Sequence, residues 1–178
     1  MVILTAGFLF IASICFSIAF ALSFFQFLFL LIKLILVIYL ALGTAIATVC
    51  CTIANKHLLV VKSHSVTQHV EPLYAFDIHC NSFLPLFVYL GPVQFLLLPL
   101  LLKPTFLATL TANALYTLAL SHYLYITHLG YRALPFLANT EFFLYPIVVA
   151  AGLFAAGLLA WPLGMTPNAA HIAAYLLF

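Results

Sequence analysis

Five times this sequence runs, without one charged side chain, for as long as a helix needs to cross a bilayer. The runs are 1–32, 34–54, 78–102, 104–131 and 142–178. A crossing helix needs about 20 mostly apolar residues, and it must pair its own backbone groups because hydrocarbon offers no water. Charge falls only at Lys33, Lys56, Lys62, Glu71, Asp77, Lys103, Arg132 and Glu141. Charged residues make up 4% of the chain and apolar ones 67%, against about 25% charged in a soluble domain. Side chains this few cannot cover a water-facing surface. The expectation is an all-α, polytopic membrane helix bundle with about five transmembrane helices, one domain over residues 1–178. A net charge of +2 is too small to argue for a nucleic acid or an acidic partner.

Spans are expected near residues 2–21, 34–54, 83–102, 106–127 and 144–161, with a polar loop over 55–74. Pro162, Gly164, Pro167 and Asn168 interrupt the last run. Residues 24–32 read as a tight turn or as the start of the second span. Ala19-Phe20-Ala21 has the form of a signal-peptidase site, but a basic n-region is missing and the apolar stretch runs on, so the first span is expected to stay. Five spans put the chain ends on opposite sides. Lys56, Lys62 and Arg132 then share one side, and Lys33 and Lys103 the other. The positive-inside bias favours a cytosolic N terminus and a cytosolic 55–74 loop. His57, His64 and His69 in that loop gain charge at mildly acidic pH. Tyr89, Tyr145 and Trp161 are expected near the membrane surfaces, where aromatic rings prefer the headgroup level.

Chemistry is sparse. Asp77, His79 and Asn81 bring an acid, an imidazole and an amide to the entry of the third span. Ionisable groups at membrane depth are functional suspects; the plainer reading is an N-cap, with Asp77 or Asn81 accepting from the first free amides. On the fourth span Thr109, Asn113, Tyr116, Thr117 and Ser121 recur at helical spacing, followed by His122, Tyr125 and Tyr131. Such a stripe should face other helices, as packing or as a polar cavity shared with Asp77 and His79. Asp77, His79 and His122 are conceivable metal ligands, but no His-x-x-x-His or Cys-x-x-Cys fixes a site, so no metal is assigned. Catalytic serine motifs, phosphate-cradling loops and dinucleotide fingerprints are absent. No enzyme activity and no cofactor are expected.

Cys15, Cys50, Cys51 and Cys80 imply no disulfide framework; Cys50-Cys51 is a loose palmitoylation candidate. Gly43-x-x-x-Ala47 and Gly152-x-x-x-Ala156 allow close helix approach, within the chain or between copies. Pro85, Pro92, Pro99 and Pro104 should kink or break the third span. Broken helices line transporter sites, which keeps a small transporter or lipid-handling protein, with a polar cavity between spans three and four, as the alternative.

Three stretches carry a family resemblance: Asn55-Lys56-His57-Leu58, Tyr74-Ala75-Phe76-Asp77-Ile78-His79-Cys80-Asn81, and the run Tyr125 to Thr140 centred on His128-Leu129-Gly130-Tyr131-Arg132. With Leu144-Tyr145-Pro146 they resemble the uncoordinated-fifty family of Golgi membrane proteins, from about Phe20 to about Trp161. The resemblance implies five spans and residence in Golgi membranes, with the endoplasmic reticulum or inner nuclear membrane as further addresses. It also implies a role in vesicle-mediated trafficking of receptor cargo and partnership with Arf guanine-nucleotide exchange factors. The family carries a basic arm before the first span, whereas this chain starts inside that span. RNA binding, attached to some members, is therefore not expected of these residues. Pro72 stands where the family tends to have a tryptophan. The expected polar cluster is Asp77, His79, Asn81, Asn113, Tyr116, His122 and Tyr131, and the expected cytosolic surface is Lys56, Lys62 and Arg132. Oligomeric state is not legible.

Overall fold

The fold is that of a computed structural model, which describes residues 2–60, 68–163 and 167–177. Lys62 and His64 lie outside the described residues. Helix α1 spans Val2–Ala19, α2 Phe24–His57, α3 Pro72–Leu101 and α5 Thr140–Ala160, and each is long and apolar enough to cross a membrane. Helix α4, Phe106–Arg132, has 27 residues. It is long enough for the same role, but the threonines, Asn113 and His122 dilute its apolarity. A short helix α6, Ala169–Leu177, follows.

The helix bounds have local causes. The chain leaves α1 through Ala21 in the left-handed region, φ 50°. Ser23 then opens α2 with a capping box: its side chain accepts from the Gln26 amide and Gln26 reaches back to the Ser23 amide, which satisfies donors a helix start leaves free. Residues 24–32 are therefore the start of the second helix and not a separate turn. Lys33 lies inside α2 rather than in a loop. Its ammonium is drawn to the α6 backbone carbonyls of Leu176 at 2.8 Å and Leu177 at 3.4 Å, and rides 4.8 Å over the Phe29 ring. At 34 residues, α2 is about 51 Å long and overshoots the hydrocarbon core.

Helix α3 corrects two expectations. It starts at Pro72, with Glu71 at the N-cap position, because proline has the fixed φ and missing N–H suited to a first helical residue. Asp77 and Asn81 are thus well inside the helix and cap nothing. Nor do the prolines break it. The helix continues through Pro85, Pro92 and Pro99, and widens to a π segment at Tyr89–Val93 around Pro92. A π turn shifts the backbone pairing where a proline donor is missing. A second π segment occupies Lys33–Leu42 of α2.

The bundle is apolar outside and partly polar inside. Ile3, Phe25, Leu73, Leu96, Val148 and Leu159 are among the most exposed side chains, while Thr5, Ser13, His79, Ser82, Gln94, Thr109, Thr127 and His128 are buried. Lipid permits that exterior, and polar groups find partners only between helices. Helix α3 packs between α2 and α4, and α4 in turn carries α5 and α6. Tyr89 lies within α3 and stacks on His122 of α4, ring centroids 5.3 Å apart. Tyr145 is exposed at the start of α5 and Trp161 packs edge-on against Phe106.

Candidate functional site

Two polar assemblies are built at separate levels, and neither gathers the whole expected cluster. The first is a buried node where α2, α3 and α4 cross. His79 is 4% exposed. Its Nε2 lies 3.2 Å from the Tyr39 carbonyl, which can only accept, so Nε2 carries the proton. Nδ1 is then bare and accepts from the Tyr123 hydroxyl at 2.8 Å. Tyr39 donates to the Cys80 sulfur at 3.3 Å. One turn along, Thr127 donates to the Ser82 hydroxyl at 3.0 Å.

The imidazole fits because Gly43 faces it. A Cβ at Gly43 would stand 2.6 Å from His79 Cδ2 and 2.7 Å from Cε1. Here the Gly43-x-x-x-Ala47 pattern does bring helices together, since both residues are buried. Gly152 has nothing near it and faces outward. With both His79 nitrogens engaged and His122 stacked on Tyr89, the conceivable Asp77–His79–His122 ligand set does not converge. Among the described residues no three His, Cys, Asp or Glu side chains do.

The second assembly closes one end of the bundle, where α2 ends, α3 begins, α4 ends and α5 begins. Two loops are tied there by a bridge between Leu59 and Leu137: the Val60 amide donates to Phe136 O at 3.0 Å and the Ala138 amide to Leu58 O at 2.9 Å. Asn55 clamps Val70 twice, donating to its carbonyl at 2.9 Å and accepting from its amide at 2.7 Å. Tyr74 donates to Gly130 O at 3.0 Å, and His128 Nδ1 to Thr140 O at 2.9 Å. Asn139 takes the left-handed turn, φ 55°, that leads into α5. Tyr131 is fully buried, stacked on Phe143 at 4.4 Å. The run Tyr125 to Thr140 thus reads as the joinery of this end.

On that frame Lys56, His57, Glu71, Asp77, Asn81, Arg132 and Glu141 are exposed. Asn81 donates to Asp77 at 3.4 Å. All three acidic residues of the chain stand at this end, so the face is mixed in charge rather than basic, a point that counting Lys and Arg alone misses. Cys51 is buried with its sulfur 3.4 Å from Val70 O, which leaves half-buried Cys50 as the accessible thiol of the pair.

Asn113 and Tyr116 belong to neither assembly. Asn113 organises the opposite end: it donates to Pro167 O and accepts from the Ala169 amide, both at 2.9 Å. Asn168 caps α6, accepting from the Ala170 amide at 2.9 Å, and donates to Leu101 O at 2.9 Å. The polar cavity that Asp77 and His79 were expected to share with this stripe is not formed, since Asp77 is exposed and His79 is packed in its node. Sequence reading missed Gly43, Tyr39, Tyr123, Ser82 and Thr127 as partners, because they are brought together from distant helices. Asn168 before an apolar run was a readable N-cap signal.

Comparison with known proteins joins this architecture to a family. The UNC-50 family profile matches residues 1–170. The chain belongs to the UNC-50 family. Among its relatives, the Protein unc-50 homolog of Dictyostelium discoideum is 55% identical over 103 residues, covering 57% of this chain and 40% of that protein. The human Protein unc-50 homolog is 44% identical over 111 residues, 61% and 42% of the two chains. The Protein GMH1 homolog of Schizosaccharomyces pombe is 42% identical over 97 residues, 54% and 41%. The matched region spans about two fifths of the length of these relatives. No solved structure matches the chain.

Proposed function

We propose that this UNC-50 family member is a non-catalytic Golgi membrane protein of vesicle-mediated and receptor trafficking, and that the loop end of its bundle helps recruit an Arf exchange factor. The observation that supports this most is the construction of that end. Loops that hydrocarbon would not tolerate are stapled to each other by the Leu59–Leu137 bridge and to the helices by Asn55 and Tyr74. Around them the helix ends carry Lys56, Arg132, Glu71, Asp77 and Glu141 outward. A fixed, mixed-charge surface on an otherwise lipid-facing body is suited to register and orient a soluble partner. The buried node around His79 has its polar groups paired inside the bundle, which suits a supporting role.

The Arf exchange factor and the Golgi address rest on the family resemblance. The test is recruitment of the exchange factor to Golgi membranes from cells with and without the protein. Recruitment should fall without it; unchanged recruitment would defeat the proposal. The transporter reading has less to stand on: α3 continues through its prolines, and the pocket that Asn113, Tyr116 and Thr117 line with Leu86 and Leu90 of α3 includes neither Asp77 nor His79.

A further inference from the structure

Between α1, α2, α3 and α6 lies a partly open cavity of about 280 Å³. Its walls are apolar, and no charged side chain is among the residues that line it. Two features set it apart from a packing defect. Both π segments contribute to it, Leu34 and Ile38 from the first and Leu90 and Gly91 from the second. Widened turns of this kind recur at functional sites. Gln94 also lines it, only 6% exposed, and its Oε1 has no hydrogen-bond partner among the described residues. Tyr116 lines the same cavity. An unpaired amide atom in an apolar wall is costly unless something supplies the missing bond.

We propose that this cavity is a lipid-chain site: it holds one acyl chain of an uncharged lipid bearing a free hydroxyl, a diacylglycerol being the simplest, with the hydroxyl at Gln94. Shape and chemistry each narrow the occupant. At about 30 Å³ per water-sized group, the space holds roughly nine methylenes. The lining extends along α3 from Phe83 to Leu98, about 22 Å of helix, which leaves length for a short extended stretch of chain. A hydroxyl both donates and accepts, so it satisfies the open end of the amide whichever way round the amide lies. No lining residue is charged; the Lys33 ammonium at the border is already engaged by the Leu176 and Leu177 carbonyls, so a phosphate-bearing headgroup would have to compete for it.

The experiment uses the full chain in lipid nanodiscs, with photoreactive, clickable probes of matched chain length: a diacylglycerol, a phosphatidylcholine and, separately, a cholesterol analogue. The diacylglycerol should label α3 or α6 peptides several-fold more than the phosphatidylcholine. Gln94→Leu should lower that labelling about fivefold, the factor of one ordinary hydrogen bond, while melting no lower than the parent because an orphaned polar group is gone. Leu90→Trp, or Ala173→Leu from the α6 wall should the first variant fail to fold, should abolish labelling by filling the space. Equal labelling by phosphatidylcholine, preferential labelling by the cholesterol analogue, or undiminished labelling of Gln94→Leu would each overturn the proposal. Recruitment of an exchange factor is not read in this assay, so its outcome is independent of that reading.

Discussion

Replacing Gly43 with alanine adds one methyl group and should destabilise the bundle out of proportion to its size. The new Cβ would meet the His79 ring at 2.6–2.7 Å, far inside van der Waals contact. The ring has no free direction of retreat: Tyr123 and the Tyr39 carbonyl hold its two nitrogens, and Phe76, Phe83 and Tyr39 rings surround it. Overpacking of a filled core costs about 1–3 kcal/mol. Losing the two histidine bonds adds about 0.6 kcal/mol each at the average measured for membrane helices. Alanine returns up to about 1 kcal/mol over glycine in a helix interior. The net expectation is a loss of roughly 1–3 kcal/mol, read as a shift in the denaturant midpoint of the protein in bicelles. Gly152→Ala is the control, since nothing lies within 4 Å of its new methyl; it should be neutral or slightly stabilising. In a double-mutant cycle, His79→Ala should relieve most of the Gly43→Ala penalty. Equal stability of Gly43→Ala and Gly152→Ala would refute the close-packed node.

Three further outcomes follow from single side chains. Asn55→Ala removes both clamps on Val70 and should cost roughly 1–2 kcal/mol at about 1 kcal/mol per bond; protease cleavage between His57 and Pro72 should accelerate while α2 stays intact. Asn113→Ala frees the Pro167 carbonyl and the Ala169 amide, so hydrogen exchange should rise in α6 and remain unchanged in α4. Tyr131→Phe removes a buried hydroxyl with no partner among the described residues and should be neutral or stabilising by up to about 1 kcal/mol in thermal unfolding; a loss of stability would show that the hydroxyl is bonded in the membrane.

Much of the architecture was readable because it is set by charge. In a bilayer a charged side chain costs enough to mark where a helix ends, so eight positions outlined five apolar segments, and four of the helices they became are long and apolar enough to cross. The rule fails where a charge is neutralised locally. Lys33 is held by α6 carbonyls, so it interrupts nothing, and the second helix begins nine residues earlier at Phe24. It fails again at Asp77, where a carboxylate stands on an exposed helix face beside Asn81 rather than at a helix start. Glu71-Pro72 was the better boundary signal. The α4 stripe was legible only in part as inward-facing, since His122 and Tyr125 are exposed, and its members divide: Asn113 serves one end of the bundle, His122 stacks on Tyr89 and Tyr131 closes the other end. Periodicity shows which face turns inward and carries no information about which distant helix will meet it. That is why the pairing of His79 with Tyr39, Tyr123 and Gly43, all about 40 residues away in sequence, was not foreseen.

The central claim is that the stapled loop end is the surface that engages a soluble partner. Lys56→Glu combined with Arg132→Glu alters that surface at two exposed positions and leaves the buried joinery untouched. Membranes carrying the double variant at parental abundance should retain the folded protein, with unchanged protease pattern and melting, yet recruit several-fold less of the Arf exchange factor than membranes carrying the parent. Recruitment equal to the parent's would contradict the account.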